Sequence, residues 1–341
     1  MSEPVLIWGA GAIGGSIGAA LIEHGHSITF VDTDAAHLRT IRNAAYGLVV
    51  ERSDRSFRRA ADARLPDEVS GEWRTILLCV KAQDTAAAVH QLAPYLARDG
   101  YVVTLQNGLT EHVAAEALGA QRVIGGFVNF SADVIAPGTI RFGNRGAVRI
   151  GELDGAIRPR TSEVEALLRQ FDPEAQATDD IWSYLWGKLG YASLLYAQAT
   201  GTSGIVACLS RPELTPLWRA LAGEIVTVAH AEGVSPRGFN GFDPEAFTGS
   251  ASIAWTEQSV AAMAACYAES DKTHSGVWRD LAIHHRKTEA DAHYDPVFAA
   301  AKRHGLACPT LRRLIAMIHA IEGGAIQDDR NPLSLIEPAD A

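Results

Sequence analysis

The chain opens with short hydrophobic runs, each about a strand long and each followed by a glycine-rich or polar turn. Val5–Trp8, Ile28–Val31, residues 75–80 and residues 101–105 are continuous apolar or β-branched stretches, the pattern of strands buried on both faces of a parallel sheet. Between the first two, Ile13, Ile17, Leu21 and Ile22 recur at helical spacing, so the order strand, helix, strand is predicted. Residues 123–130, 138–142 and 147–151 are shorter and glycine-punctuated, and predict a meander that closes the sheet. From about residue 181 to 322 alternation gives way to helical spacing, as in Leu217, Leu221, Ile225, Val228 and Ala229, broken at Pro212, Pro236, Pro244, Pro296 and Pro309. The polar stretch 171–180 separates the two regimes. The pattern predicts an α/β N-terminal domain over 1–175, an all-α domain over 176–330 and a C-terminal tail over 331–341.

The first turn has its own chemistry. Gly9-Ala10-Gly11-Ala12-Ile13-Gly14 is a G-x-G-x-x-G sequence, placed where a strand gives way to a helix. The first glycine permits a tight turn, the second lets backbone approach a pyrophosphate, and the third lets helix pack closely on strand. The helix N-terminus then faces the phosphates. Asp32 closes the second strand at about the 20-residue spacing of a ribose-binding acid. These features predict a Rossmann domain, a doubly wound parallel sheet that binds a dinucleotide through Gly9, Ala10, Gly11, Ala12, Ile13, Gly14 and Asp32. Lys81 and Asn107 stand just past the third and fourth strands, the end at which open parallel sheets bind ligands.

Composition narrows the choice of partner. With 341 residues, 47% of them hydrophobic and 21% charged, the chain has the make-up of a globular protein too long for one core. A net charge of −10 argues against nucleic acid or an anionic membrane as partner. No apolar run approaches the ~20 residues that span a bilayer, and the first strand begins too early to leave room for a leader, so the expectation is a cytoplasmic protein. Cys79, Cys208, Cys266 and Cys308 lack C-x-x-C spacing and are expected to be reduced core cysteines. His274, His284 and His285 lie close in sequence, yet no pair forms H-E-x-x-H, and no metal is expected.

Four separated motifs, VKAQDT at 80–85, LQNG at 105–108, WGKLG at 186–190, and RKTEAD at 286–291 followed by HGLACPT at 304–310, resemble the ketopantoate reductase family in sequence and order. The resemblance implies a two-domain NAD(P)-dependent reductase of a 2-oxo acid, with its active site in an interdomain cleft. It implies that Lys188 is the catalytic lysine, Glu289 a substrate-binding glutamate, and Asn107 a residue beside nicotinamide and substrate. Lys81 matches a lysine at its strand's end, and Ser275 a serine that contacts substrate. An ammonium at the position of Lys188 could stabilise developing alkoxide charge and supply its proton.

Departures from the family pattern modify this expectation. Asparagines that follow the catalytic lysine by four and eight residues in the family are Ala192 and Tyr196 here, and an asparagine-glycine pair is replaced by His293-Tyr294. A dedicated ketopantoate reductase is therefore not expected. Tyr196, His274 and Arg279 could read further hydroxyls or a carboxylate, which keeps a dehydrogenase of a sugar-acid-like substrate, working oxidatively, as an alternative. A non-catalytic dinucleotide sensor is the alternative of another class, disfavoured by a lysine and glutamate that a sensor does not need. Asp32, with no cation between Val31 and Ala36, points to NAD over NADP. A homodimer is left open.

Overall fold

The computed structural model of the chain describes residues 3–143, 146–270 and 272–336. They form two compact units, one ending at Ile181 and the other beginning at Trp182, a division just past the 175/176 boundary expected from sequence. Part of the expected tail is ordered, since Asn331–Ser334 forms a helical turn; residues 337–341 lie outside the described residues.

In the first unit the strands are β1 (Val5–Trp8), β2 (Ile28–Val31), β3 (Leu48–Glu51), β4 (Ser56–Arg59), β5 (Asp62–Arg64), β6 (Trp73–Leu78), β7 (Leu96–Thr104), β8 (Val123–Asn129), β9 (Ala132–Ala136), β10 (Thr139–Phe142), β11 (Ala147–Glu152) and β12 (Gln176–Ala177). Helices α1 (Ala12–Glu23), α2 (Ala35–Arg42), α3 (Thr85–Leu92), α4 (Thr110–Leu118) and α5 (Pro159–Leu168) connect them. The main sheet runs β12-β11-β8-β7-β6-β1-β2-β5. From β1 the chain steps outward through β2 to β5, then returns to the other side of β1 and continues through β6, β7 and β8. The reversal falls between β1 and β6, the switch point at which doubly wound sheets hold ligands. Parallel pairing of β1 with both β2 and β6 explains why β1 is buried along its whole length.

The expected meander is corrected. Of the expected meander, β8 and β11 pair antiparallel in the main sheet, with β12 parallel to β11 at its edge, while β9 and β10 join a second sheet of order β4-β3-β10-β9. The decisive pairing, β10 parallel to β3, links segments far apart in sequence, which local pattern cannot register. The partners β3 and β4 alternate buried and less buried positions in an arginine-rich segment, which masked them as strands.

The second unit comprises α6 (Ile181–Ala199), α7 (Ile205–Leu209), α8 (Thr215–Ala231), α9 (Ile253–Ala268), α10 (Gly276–Ala282), α11 (Ala290–Arg303), α12 (Pro309–Glu322) and α13 (Asn331–Ser334). Trp218, Phe247 and Tyr294 fill its interior. Among the described residues no helix is long and apolar enough to cross a membrane. Three cysteines are buried and free as expected. Burial pushes the Cys208 thiol up to about 12 and Cys308 to about 11, so neither is a thiolate at neutral pH. Cys266 corrects the expectation, being exposed on α9.

Candidate active site

The glycine turn is built by close backbone approach. Gly9 has φ of 105°, and a Cβ there would stand 2.6 Å from the Cys79 carbonyl carbon. At Gly14 a Cβ would stand 2.0 Å from the Gly9 carbonyl oxygen. Gly11 differs, because a Cβ would meet nothing within 4 Å. The first and third glycines are therefore required by protein, and the second faces open space. Gly11 is also the N-cap of α1 and supplies no side-chain hydrogen bond. Gly11, Ala12 and Ile13 keep partial exposure, so the first-turn N–H groups of α1 stay available to an anion. This arrangement fits a dinucleotide diphosphate.

Asp32 ends β2 and braces this turn. Its Oδ2 accepts from the Ala10 N–H at 2.8 Å and its Oδ1 from the Asp34 N–H at 3.0 Å. The helix-capping role belongs to Asp34, whose Oδ1 accepts from the N–H groups of Ala36 and His37. Asp32 is thus free of that duty. Each of its oxygens retains acceptor capacity for a ribose hydroxyl.

Lys81 and Asn107 follow the carboxyl ends of the paired parallel strands β6 and β7. With the glycine turn after β1 and Asp32 after β2, they make a row of four adjacent strand ends. Asn107 is exposed and Lys81 half-buried. Gln106 between them is buried and donates to the Val80 carbonyl at 2.9 Å and to Thr85 Oγ1 at 2.8 Å, tying the two loops together. Sequence reading passed over this glutamine because its role lies in non-local bonds.

In the second unit, α6 is buried on nearly every side. Only Trp182, Tyr184, Lys188 and Ala192 keep partial exposure; the last three, spaced by four, form one stripe. Lys188 is the sole charged side chain on this helix. The flanking glycines have steric reasons. A Cβ on Gly187 would stand 2.0 Å from the Arg237 carbonyl oxygen, and one on Gly190 would stand 3.0 Å from the Phe242 ring. The segment carrying Arg237 and Phe242 thereby seats directly against the helix face that Gly187 and Gly190 share. The exposed Arg237 guanidinium lies over the Tyr184 ring at 5.3 Å, one turn from Lys188. No sequence motif singled out Arg237.

Several expected substrate contacts have other occupations. Tyr196 is 1% exposed, burial pushes its phenol well above the ordinary range, and its hydroxyl meets His293 Nδ1 at 2.9 Å. Tyr196 also packs edge-on against Tyr294 at 5.2 Å. The two departures from the family pattern are thus partners of each other, and Tyr196 is corrected from an open phenol to a buried one. Ser275 is buried too, and its Oγ accepts from the Trp278 N–H as the N-cap of α10. His274 stacks on Trp278 at 3.9 Å, with its Nε2 against the Thr202 carbonyl. Arg279 is half-buried on α10.

Glu289 precedes α11, with Oε1 3.9 Å from His293 Nε2. Tyr294 donates to the Leu189 carbonyl at 3.4 Å, so α11 is tied to α6 beside Lys188. Among the described residues no cluster of metal-ligating side chains occurs.

The chain matches the family described as Ketopantoate reductase PanE/ApbA over residues 5–155, and its C-terminal counterpart over residues 180–322. It is 28% identical to a 2-dehydropantoate 2-reductase of Halobacterium salinarum, over 92% of this chain and 97% of that protein. A 2-dehydropantoate 2-reductase of Mesorhizobium japonicum is 30% identical, over 68% of this chain and 76% of the relative. Among solved structures, a ternary D-mandelate dehydrogenase with NADH and anilino(oxo)acetate superposes with a TM-score of 0.82 at 21% identity, covering 94% of this chain and 99% of that one. A ketopantoate reductase of Ralstonia eutropha gives 0.78 at 24%, with the same coverage.

The distinct bonding of the two aspartates has a direct check. Asp34→Ala should cost about 1 kcal/mol of stability through the lost cap and leave dinucleotide affinity unchanged. Asp32→Ala removes the acceptor from the Ala10 N–H and should weaken NADH binding. Thermal melts and NADH titrations of both variants separate the roles, and wild-type affinity in Asp32→Ala would contradict the assignment.

Proposed function

The chain belongs to the ketopantoate reductase family and is an NAD(P)-dependent oxidoreductase acting on a CH–OH group; on that premise we propose that it reduces a small 2-oxo acid other than ketopantoate, using NAD and Lys188 as general acid. The observation that carries the reading is the open stripe of α6, where an otherwise buried apolar helix presents one ammonium.

The nicotinamide, when bound, supplies the hydride that adds to the substrate's carbonyl carbon. The chain's own residues do the rest. The Lys188 ammonium donates a hydrogen bond to the carbonyl oxygen, gives up a proton to it as C–O charge develops, and is reprotonated from water. In the oxidative direction neutral Lys188 takes the hydroxyl proton. Glu289 accepts from the C2 hydroxyl of the 2-hydroxy acid, and Asn107 orients the reacting carbonyl. Lys81 joins the glycine turn and Asp32 in holding the dinucleotide. Arg237, displayed on Tyr184, and Arg279 are the cations proposed to pair with the substrate carboxylate.

Substrate choice follows from the same helix. Ala192 occupies a position on the open stripe where the family places an amide, and Tyr196 is closed off by His293. A site that has lost these amides cannot satisfy the polar groups they would bind. The supporting likeness is to D-mandelate dehydrogenase, a structure solved with NADH and anilino(oxo)acetate. A 2-oxo acid with a larger apolar substituent suits this helix better than a polyhydroxylated one.

Three outcomes check the proposal. Lys188→Ala should lower kcat by about 100-fold or more with NADH affinity unchanged; wild-type turnover would remove the lysine from the mechanism. In a panel of 2-oxo acids assayed by NADH absorbance, ketopantoate should rank below branched or aryl substrates, and kcat/KM of about 10⁵ M⁻¹s⁻¹ or above for ketopantoate would reverse the substrate assignment. Finally, kcat/KM should favour NAD(H) over NADP(H), because Asp32 would face the 2′-phosphate with like charge; the opposite preference would refute the cofactor choice.

A further inference from the structure

His37 connects parts of the first unit that are far apart in sequence. It sits on α2, is 3% exposed, and both ring nitrogens are engaged. The Gly138 N–H donates to Nδ1 at 2.9 Å, so Nδ1 carries no proton. The proton of the neutral ring is then on Nε2, which donates to the Ala10 carbonyl at 2.9 Å. One tautomer therefore satisfies one donor and one acceptor.

The two partners explain what this bond does. Ala10 is the residue between Gly9 and Gly11, and its N–H is already held by Asp32. With His37 on the carbonyl and Asp32 on the amide, both polar groups of Ala10 are fixed immediately before the open N-terminus of α1. Gly138 lies in the hairpin joining β9 to β10, with φ of 72°, and its own carbonyl accepts from the Val49 N–H of β3 at 2.8 Å. A Cβ at Gly138 would stand 2.4 Å from Thr40 Cγ2 on α2, so only glycine lets the hairpin reach the imidazole. The same small sheet presses on α1 elsewhere, since a Cβ on Gly15 would stand 2.2 Å from Ile140 Cδ1.

We propose that His37 is a positioning residue for the nicotinamide cofactor, acting as a strut through which the small sheet holds the glycine turn in its dinucleotide-binding shape. It does not touch the cofactor. Its effect runs through Ala10, and the hairpin at Gly138 becomes a determinant of cofactor affinity although it belongs to the other sheet. The inference rests on the dinucleotide reading of the glycine turn. If His37 is removed, the Ala10 carbonyl and Gly138 N–H lose a buried partner and the turn samples other orientations, so apparent affinity falls by the fraction of time it is competent.

The test compares wild type, His37→Ala, His37→Gln and Gly138→Ala by calorimetric NADH titration, steady-state kinetics and thermal melting. His37→Ala should raise the NADH Kd and KM about tenfold, the size of one lost buried hydrogen bond, with kcat at saturating NADH nearly unchanged. Glutamine offers an amide oxygen to Gly138 and an N–H to Ala10, and should restore most of the affinity. Gly138→Ala should mimic His37→Ala, and the double variant should be less than additive. A lowered Tm with wild-type Kd and KM in folded His37→Ala would overturn the proposal as a merely structural role. Should these variants not fold, hydrogen exchange of the His37 Nε2–H in wild type decides: slower exchange with NADH bound supports the strut, and unchanged exchange overturns it. Wild type that binds no NADH would overturn the dinucleotide reading itself, an outcome distinct from wild-type binding that His37→Ala leaves intact.

Discussion

The approach of three backbone segments at the carboxyl end of β1 is the constraint on which the first unit depends. The Gly9 carbonyl lies where a Gly14 side chain would be, and the Cys79 peptide lies where a Gly9 side chain would be. Helix α1 can start directly above the sheet only because these side chains are absent. From that contact follow the orientation of the α1 N-terminus, its uncapped first turn, and the placement of Asp32 and the β6 loop around it. Removing one methyl-sized gap would displace all of them, because backbone cannot rotate away as a side chain can.

A similar device appears in the second unit. Gly187 and Gly190 let the chain around Arg237 and Phe242 lie against one face of α6. The rest of the helix is buried but for Trp182 and the stripe of Tyr184, Lys188 and Ala192. Buried aromatic contacts among Tyr196, His293 and Tyr294 lock α11 to the same helix, which sets Glu289 at its start. Packing on these neighbours fixes the backbone that carries Lys188, as the proton-transfer role proposed for it requires.

Much of this was legible in the residues, for physical reasons. The strands β1, β2, β6 and β7 are doubly covered and so uniformly apolar, and the glycine triplet is demanded by sterics that few other residues meet. Lys188 was singled out by its motif, and the structure sets it on the partly exposed stripe of α6. What escaped was what depends on pairing between distant segments: the second sheet, the Gly138 hairpin, the roles of His37 and Gln106, and the packing of Arg237 beside Gly187. Tyr196 and His293 looked like two independent departures because their contact spans α6 and α11. Asp32 and Asp34 were indistinguishable as caps until the hydrogen bonds separated them.

The central claim is that this chain moves a hydride between a nicotinamide and the 2-carbon of a small acid. Incubation with NADH deuterated at the transferable C4 position and a branched or aryl 2-oxo acid, followed by mass spectrometry of the product, tests it most directly. The account predicts a 2-hydroxy acid carrying one deuterium at C2, formed as a single enantiomer. A product without deuterium, or no reduction of any 2-oxo acid by a protein that binds NADH, would contradict it.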